Sequence, residues 1–188
     1  MAMRSVSAGW YRNSLGARCA RGLALSMVSL ALAGCLQNTS PSGQGVGPRD
    51  QNVSMSSLAS FDPVKFSGRW NEVEAYVPDG ASCVLGGVTF SQQINGDMIL
   101  AEGPCIDGAP RNGVAKRVGP GRFAFEGEEL WVLWVDQTYD VAVIATPQGK
   151  AHILSRELGI AADKRIAARD ILTWNGFDVA TLRPARRR

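Results

Sequence analysis

The chain has 188 residues, of which 45% are hydrophobic and 20% charged, with a formal charge of +3 and a pI near 8.8. The basic balance is not a nucleic-acid signature, because Arg4, Arg12, Arg18 and Arg21 all lie ahead of residue 35 with no acid among them. Without those four arginines, and with histidine neutral, the charge is −1.

The same arginines precede an uncharged run, Leu23 to Ala33, which closes on Leu32-Ala33-Gly34-Cys35. A basic start, a short apolar stretch and small residues before the cut make a secretory signal, and the run is too short to span a bilayer as a retained helix. Leu-Ala-Gly-Cys resembles the lipobox of bacterial lipoproteins. The resemblance implies diacylglyceryl transfer to Cys35, cleavage before it and acylation of the new amino terminus. Residues 1–34 are therefore expected to be a lipoprotein signal peptide. Leu36 stands where an Asp would resemble an inner-membrane retention signal, which points to an outer-membrane lipoprotein facing the periplasm. From there to Ser60 the chain is rich in Ser, Gly, Gln, Asn and Pro, so residues 35–60 are expected to be a flexible, lipid-anchored tether. Gly43, Gly45 and Gly47 follow no strand and make no nucleotide loop. At the other end, Arg183, Arg186, Arg187 and Arg188 make residues 183–188 a basic, solvated tail.

Of four cysteines, Cys19 leaves with the signal and Cys35 carries lipid, so Cys83 and Cys105 remain as an even pair in an oxidising compartment. A disulfide between them would close a loop of about twenty residues, stabilising the fold by roughly 3 kcal/mol in the chain-entropy model. Two cysteines and one His152 are too far apart in sequence to form a zinc pattern, and no metal or other cofactor is expected.

The folded domain is expected over 61–182. From Trp70 the chain alternates, with Trp70, Glu72, Glu74 and Tyr76 on one face and Asn71, Val73, Ala75 and Val77 on the other. Further strands are read at Leu85–Ser91, Met98–Glu102, Gly113–Arg117 and Arg122–Glu126, separated by Asn95-Gly96-Asp97, Asp107-Gly108 and Gly119-Pro120-Gly121. Leu130–Val135, Tyr139–Ala145 and Ala151–Leu154 then form a meander, broken by Asp136-Gln137-Thr138 and Pro147-Gln148-Gly149. Val141-Ala142-Val143-Ile144 is apolar at every position, so both faces of that strand must be covered. Eight antiparallel strands at this spacing predict an all-β, eight-stranded up-and-down barrel, with a sandwich as the alternative. After Arg156 the period changes: Ile160, Ala167, Ile171 and Trp174 mark the apolar stripe of one helix, with Gly176 as its C-cap. That helix is expected to pack outside the closing strands, leaving Asp163, Lys164, Arg165 and Asp170 mostly to solvent. Val179–Leu182 are read as a short final strand.

Gly68-Arg69-Trp70, Asp136-Gln137-Thr138-Tyr139, Ile153-Leu154-Ser155-Arg156 and Trp174-Asn175-Gly176-Phe177-Asp178-Val179, in this order and spacing, resemble the lipocalin family, and most of all the bacterial outer-membrane lipoprotein lipocalins. The resemblance covers roughly Phe61 to Leu182. It implies structural roles for Gly68, Trp70, Tyr139 and Arg156, with Trp70 plugging one end of the barrel under the Arg156 guanidinium. In that frame Glu72, Glu74, Tyr76, Val132, Trp134, His152 and Leu154 turn inward to line a cavity for a small hydrophobic ligand, a fatty acid or lysophospholipid. Two inward carboxylates would disfavour a fatty-acid headgroup and favour a zwitterionic or cationic one. The sequence has no G-x-S-x-G, Cys–His block or metal-ligand spacing around its single histidine, so no catalytic residue is assigned and no enzyme is expected. The alternative is a protein-binding periplasmic barrel such as a protease inhibitor. No nucleic-acid partner is expected, and the membrane is reached through the N-terminal lipid; oligomeric state is left open.

Overall fold

The structure is a computed structural model that describes residues 48–76, 87–103 and 111–185. Cys35, Cys83 and Cys105, the expected signal peptide and residues 186–188 of the expected tail lie outside the described residues. A short helical turn, α1 (Pro63–Phe66), is capped by Asp62, whose carboxylate accepts from the Val64 and Lys65 amides. Eight strands follow: β1 (Gly68–Ala75), β2 (Val88–Gln92), β3 (Met98–Glu102), β4 (Asn112–Gly119), β5 (Arg122–Phe125), β6 (Glu128–Val135), β7 (Val141–Ala145) and β8 (Ala151–Ser155). Each pairs antiparallel with the next, and β1 pairs with both β8 and β2. The sheet is thus closed, which removes its edges and makes the up-and-down barrel, not the sandwich.

Helix α2 (Ala162–Trp174) lies against β6 and β7. Strand β7 shows why an apolar run of this kind needs two layers. Ala142 and Ile144 belong to the interior cluster, whereas Val141, Val143 and Ala145 pack with Ala168 and Leu172 of the helix. The helix seats itself through Ala168, Ile171 and Leu172, one residue round from the expected stripe; Trp174 is 70% exposed. Its end is a Schellman motif. The Phe177 amide donates to the Leu172 carbonyl and the Gly176 amide to that of Thr173, with Gly176 at φ +85°, where a side chain would be strained. Val179–Thr181 form a 3-10 turn rather than a strand, and β9 (Arg183–Pro184) comes just after it, pairing with β1. Arg183 therefore belongs to the sheet rather than to a solvated tail.

The residues just before Phe61 also belong to the folded unit. Residues 48–60 run against the barrel wall, with the Leu58 amide donating to the Val132 carbonyl, the Asp50 amide to that of Gly176, and Met55 packed in the outer cluster. Arg49 is 5% exposed; its guanidinium donates to the Asn175 and Val53 carbonyls and lies 5.8 Å from the Phe177 ring centre. Composition marks this segment as loop, but one buried cation, the packed Met55 side chain and the backbone bonds to the barrel are enough to fix it.

Candidate functional site

The two ends of the barrel differ. At one end Trp70, fully buried, crosses the interior and donates its indole N–H to the Phe66 carbonyl at 2.8 Å. Phe66 packs on it at 5.1 Å, with Phe61, Phe90 and Phe123 in further ring contacts. The Arg156 guanidinium lies 3.7 Å over the indole and donates to the carbonyls of Lys65, Phe66, Ser67, Arg69 and Tyr139. Gly68, at φ +106°, has no side chain because a Cβ there would stand 3.1 Å from Arg156 Nη1. Tyr139 is held at φ +58°, and its hydroxyl accepts from the Asp62 amide. This end is a sealed floor.

Beside the floor, the β6–β7 turn carries a separate ionic network. Asp136 accepts from the Asp140 and Val141 amides at 2.7 Å each and from Lys164 Nζ at 2.6 Å. Burial opposes its ionisation, but the bonds from Lys164, Thr138, Val141 and Asp140 prevail and hold the carboxyl at about 2. A cleft of about 400 Å3 lies here, lined by Trp134, Val135, Asp136, Gln137, Thr138 and Lys164. Its charged groups are already satisfied by one another.

The other end, the mouth, is bounded by the β7–β8 turn, the start of β2, the end of β3 and the start of β4. Glu72 sits opposite Leu154 on the inner face, 7% exposed, and one of its oxygens meets His152 Nδ1. Its second oxygen, Oε2, is buried without a hydrogen-bond partner among the described residues. Burial alone would pull the imidazole pKa down; the Glu72 carboxylate, by charge and hydrogen bond, outweighs that and raises it above 6.5. Glu102 adds to the rise and Arg111 opposes it, so both act on the same imidazole. Arg111 is bidentate on Glu102 at 2.6 and 2.7 Å, lies 3.5 Å from Glu126 and stacks over the Phe125 ring. Glu102 extends the inward alternation of Met98 and Leu100. Sequence analysis missed this pair, though the alternation could have found it.

Of the residues expected to turn inward, Glu72, Val132 and Leu154 do so, and His152 joins them across β1 and β8. Glu74, Tyr76 and Trp134 do not. Register skips one residue between Glu72 and Glu74 in β1, and one between Val132 and Trp134 in β6. Each skip is a β-bulge, and because side chains alternate with period two, one extra residue sends everything beyond it to the other face. Glu74, 1% exposed, therefore meets Arg169 at 2.9 Å and Arg165 at 3.4 Å and ties α2 to β1. Tyr76 stacks on Phe177 outside the barrel, its phenol pKa pushed up by burial and by the Asp178 charge. Trp134 packs with the outer cluster. Lys164 and Arg165, expected in solvent, are bound to Asp136 and Glu74. Among the described residues no group of His, Cys, Asp or Glu is placed to hold a metal ion, and no helix is long and apolar enough to cross a membrane.

A closed eight-stranded up-and-down barrel with its G-x-W floor and one helix packed outside is the lipocalin fold. Among solved structures it is similar to Per a 4, a major allergen from cockroaches, at 14% identity and a TM-score of 0.54, covering 70% of this chain and 93% of that one. It is similar as well to lobster apocrustacyanin A1, at 16% identity and a TM-score of 0.52, and to apocrustacyanin C1, at 15% and 0.53; each match covers 72% of this chain and 91% of the other. At such identities the likeness is one of fold. No protein-family model matches the sequence, and no curated protein matches it.

Proposed function

We propose that this protein is a lipid-anchored carrier that holds a small hydrophobic ligand in the upper half of its barrel, on the periplasmic face of a bacterial outer membrane. The observation that carries the reading is the division of the interior. Leu100, Val132, Ile144 and Leu154 make an apolar wall, and above it Glu72, His152, Glu102 and Arg111 gather at the mouth. An apolar cup stabilises a bound chain by about 0.8 kcal/mol per buried methylene, while a few polar groups fix its head. Since the Glu72 and Glu102 carboxylates would repel a fatty-acid carboxylate brought to the mouth, a lysophospholipid fits better than a fatty acid. The anchor rests on Cys35 and its lipobox, and the short sequence between Cys35 and Pro48 would keep the barrel near the membrane. A Cys83–Cys105 disulfide is supported by the Gly103 amide donating to the Gly87 carbonyl at 2.7 Å, which pairs the residue four after Cys83 with the residue two before Cys105.

A protein-binding barrel, such as a protease inhibitor, is favoured by one observation: the floor half is filled by Phe61, Phe66, Trp70, Phe90 and Phe123. Native mass spectrometry of the full chain purified from bacterial membranes separates the two. A carrier retains lipid-sized masses in a fixed ratio to protein. Bare protein that takes up no added amphiphile would favour the protein-binding barrel and overturn the carrier.

A further inference from the structure

Resting on the carrier reading, we infer that the ligand of this barrel bears a cationic ammonium group, which binds the buried Glu72 carboxylate. The side chain of Glu72 is 3% exposed, on the inner face of β1. One oxygen is taken by His152 Nδ1, and Oε2 has neither solvent nor a hydrogen-bond partner among the described residues. An acceptor buried in this state forfeits its hydration, so a donor reaching it gains far more than one meeting a satisfied group.

The charges around Glu72 select the donor. Three carboxylates, Glu72, Glu102 and Glu126, face Arg111 and His152, so the mouth stays negative even when the imidazole is protonated. Arg111 cannot serve an anionic ligand, because Nε and Nη2 are spent on Glu102 and Nη1 faces Glu126. A ligand that ends in a carboxylate or phosphate brings only acceptors to a site whose unmet group is itself an acceptor. A hydroxyl supplies the hydrogen bond without the charge. An ammonium supplies both, and Leu154, across from Glu72, with Val132 and Ile144 beyond it, offers apolar surface to the hydrocarbon attached to it. The ligand class is therefore a single-chain amphiphile ending in an ammonium group.

Isothermal titration of the full chain at neutral pH with dodecylammonium, dodecanol and dodecanoate, each below its micelle threshold, tests this. The ammonium should bind about tenfold or more tighter than the alcohol, with the carboxylate weakest, a preference on the scale of one charged hydrogen bond. Glu72→Gln should erase the preference for the ammonium. Because the ranking is read on the unmodified chain, it does not depend on that variant folding. Equal affinity for alcohol and ammonium, or tightest binding of the carboxylate, would overturn the ammonium site and leave the carrier standing. Should none of the three bind, the carrier itself fails and takes this site with it.

Discussion

Floor and mouth of this barrel are built from the same strands, yet they treat polar groups in opposite ways. Arg156 at the floor donates to five backbone carbonyls and covers an indole, so a cation lying on an apolar plug loses little by leaving water. At the mouth, Glu72 keeps one buried oxygen unmatched among the described residues, and Arg111 is shared between Glu102 and Glu126. A protein that only needed stability would gain by replacing Glu72 with an apolar residue. The contrast places the fold's keystone at the floor, and it is the contrast on which the proposed ligand site at the mouth rests.

The floor should therefore be where stability is lost most steeply. Trp70→Ala removes the largest fully buried side chain and the keystone of the ring stack, and should cost about 3–5 kcal/mol in urea unfolding. A loss below about 1 kcal/mol would mean that the floor is not the structural end. Next comes Arg156→Ala, which removes a cation–π contact and a donor shared by five carbonyls; about 2–3 kcal/mol is expected. Arg156→Lys should recover only part of it, since an ammonium cannot reach the same set of carbonyls.

Asp136 probes the rim of the floor through acid. Its carboxyl is held at about 2 against an ordinary 3.8, so the folded state binds the proton less readily than the unfolded chain. The stabilisation is complete above 3.8 and is lost as pH falls toward 2, amounting to about 2 kcal/mol. Asp136→Asn should flatten the acid limb of the stability curve by that much. An unchanged limb would show that Lys164 and the turn amides do not hold the carboxylate in solution.

How much of this was legible in the sequence follows the same divide. The floor was: Gly68, Trp70 and Arg156 stand in a recognisable order, and β-branched runs between Gly and Pro turns gave all eight strands and the doubly covered β7. The mouth was half legible. Period two put Glu72 on the inner face, and the resemblance put Val132, His152 and Leu154 there; period two then failed at Glu74 and Tyr76 and the resemblance at Trp134, because the bulges at Val73 and Leu133 carry no Gly or Pro to mark them. Arg49 was hidden by the loop-like composition around it, since nothing local shows that Phe177 and the Asn175 carbonyl lie beside it.

The smallest effect sharpens the contrast from the mouth side, and it has a clean probe because His152 is the chain's only histidine. Its folded pKa is raised above 6.5 by Glu72 against the pull of burial. A raised pKa means stability that is fully present below 6.5 and declines as pH rises through the folded value. In Glu72→Gln the carboxylate's charge is gone, burial takes over, and Glu102 and Arg111 oppose each other, so the imidazole should titrate below 6.5. The slope of stability against pH across the neutral range should then change sign. NMR titration of the single imidazole resonance reads the shift directly, and urea midpoints through the same range read the slope. An imidazole that titrates identically with and without the carboxylate would detach His152 from Glu72, and the mouth would lose the pair that makes it unlike the floor.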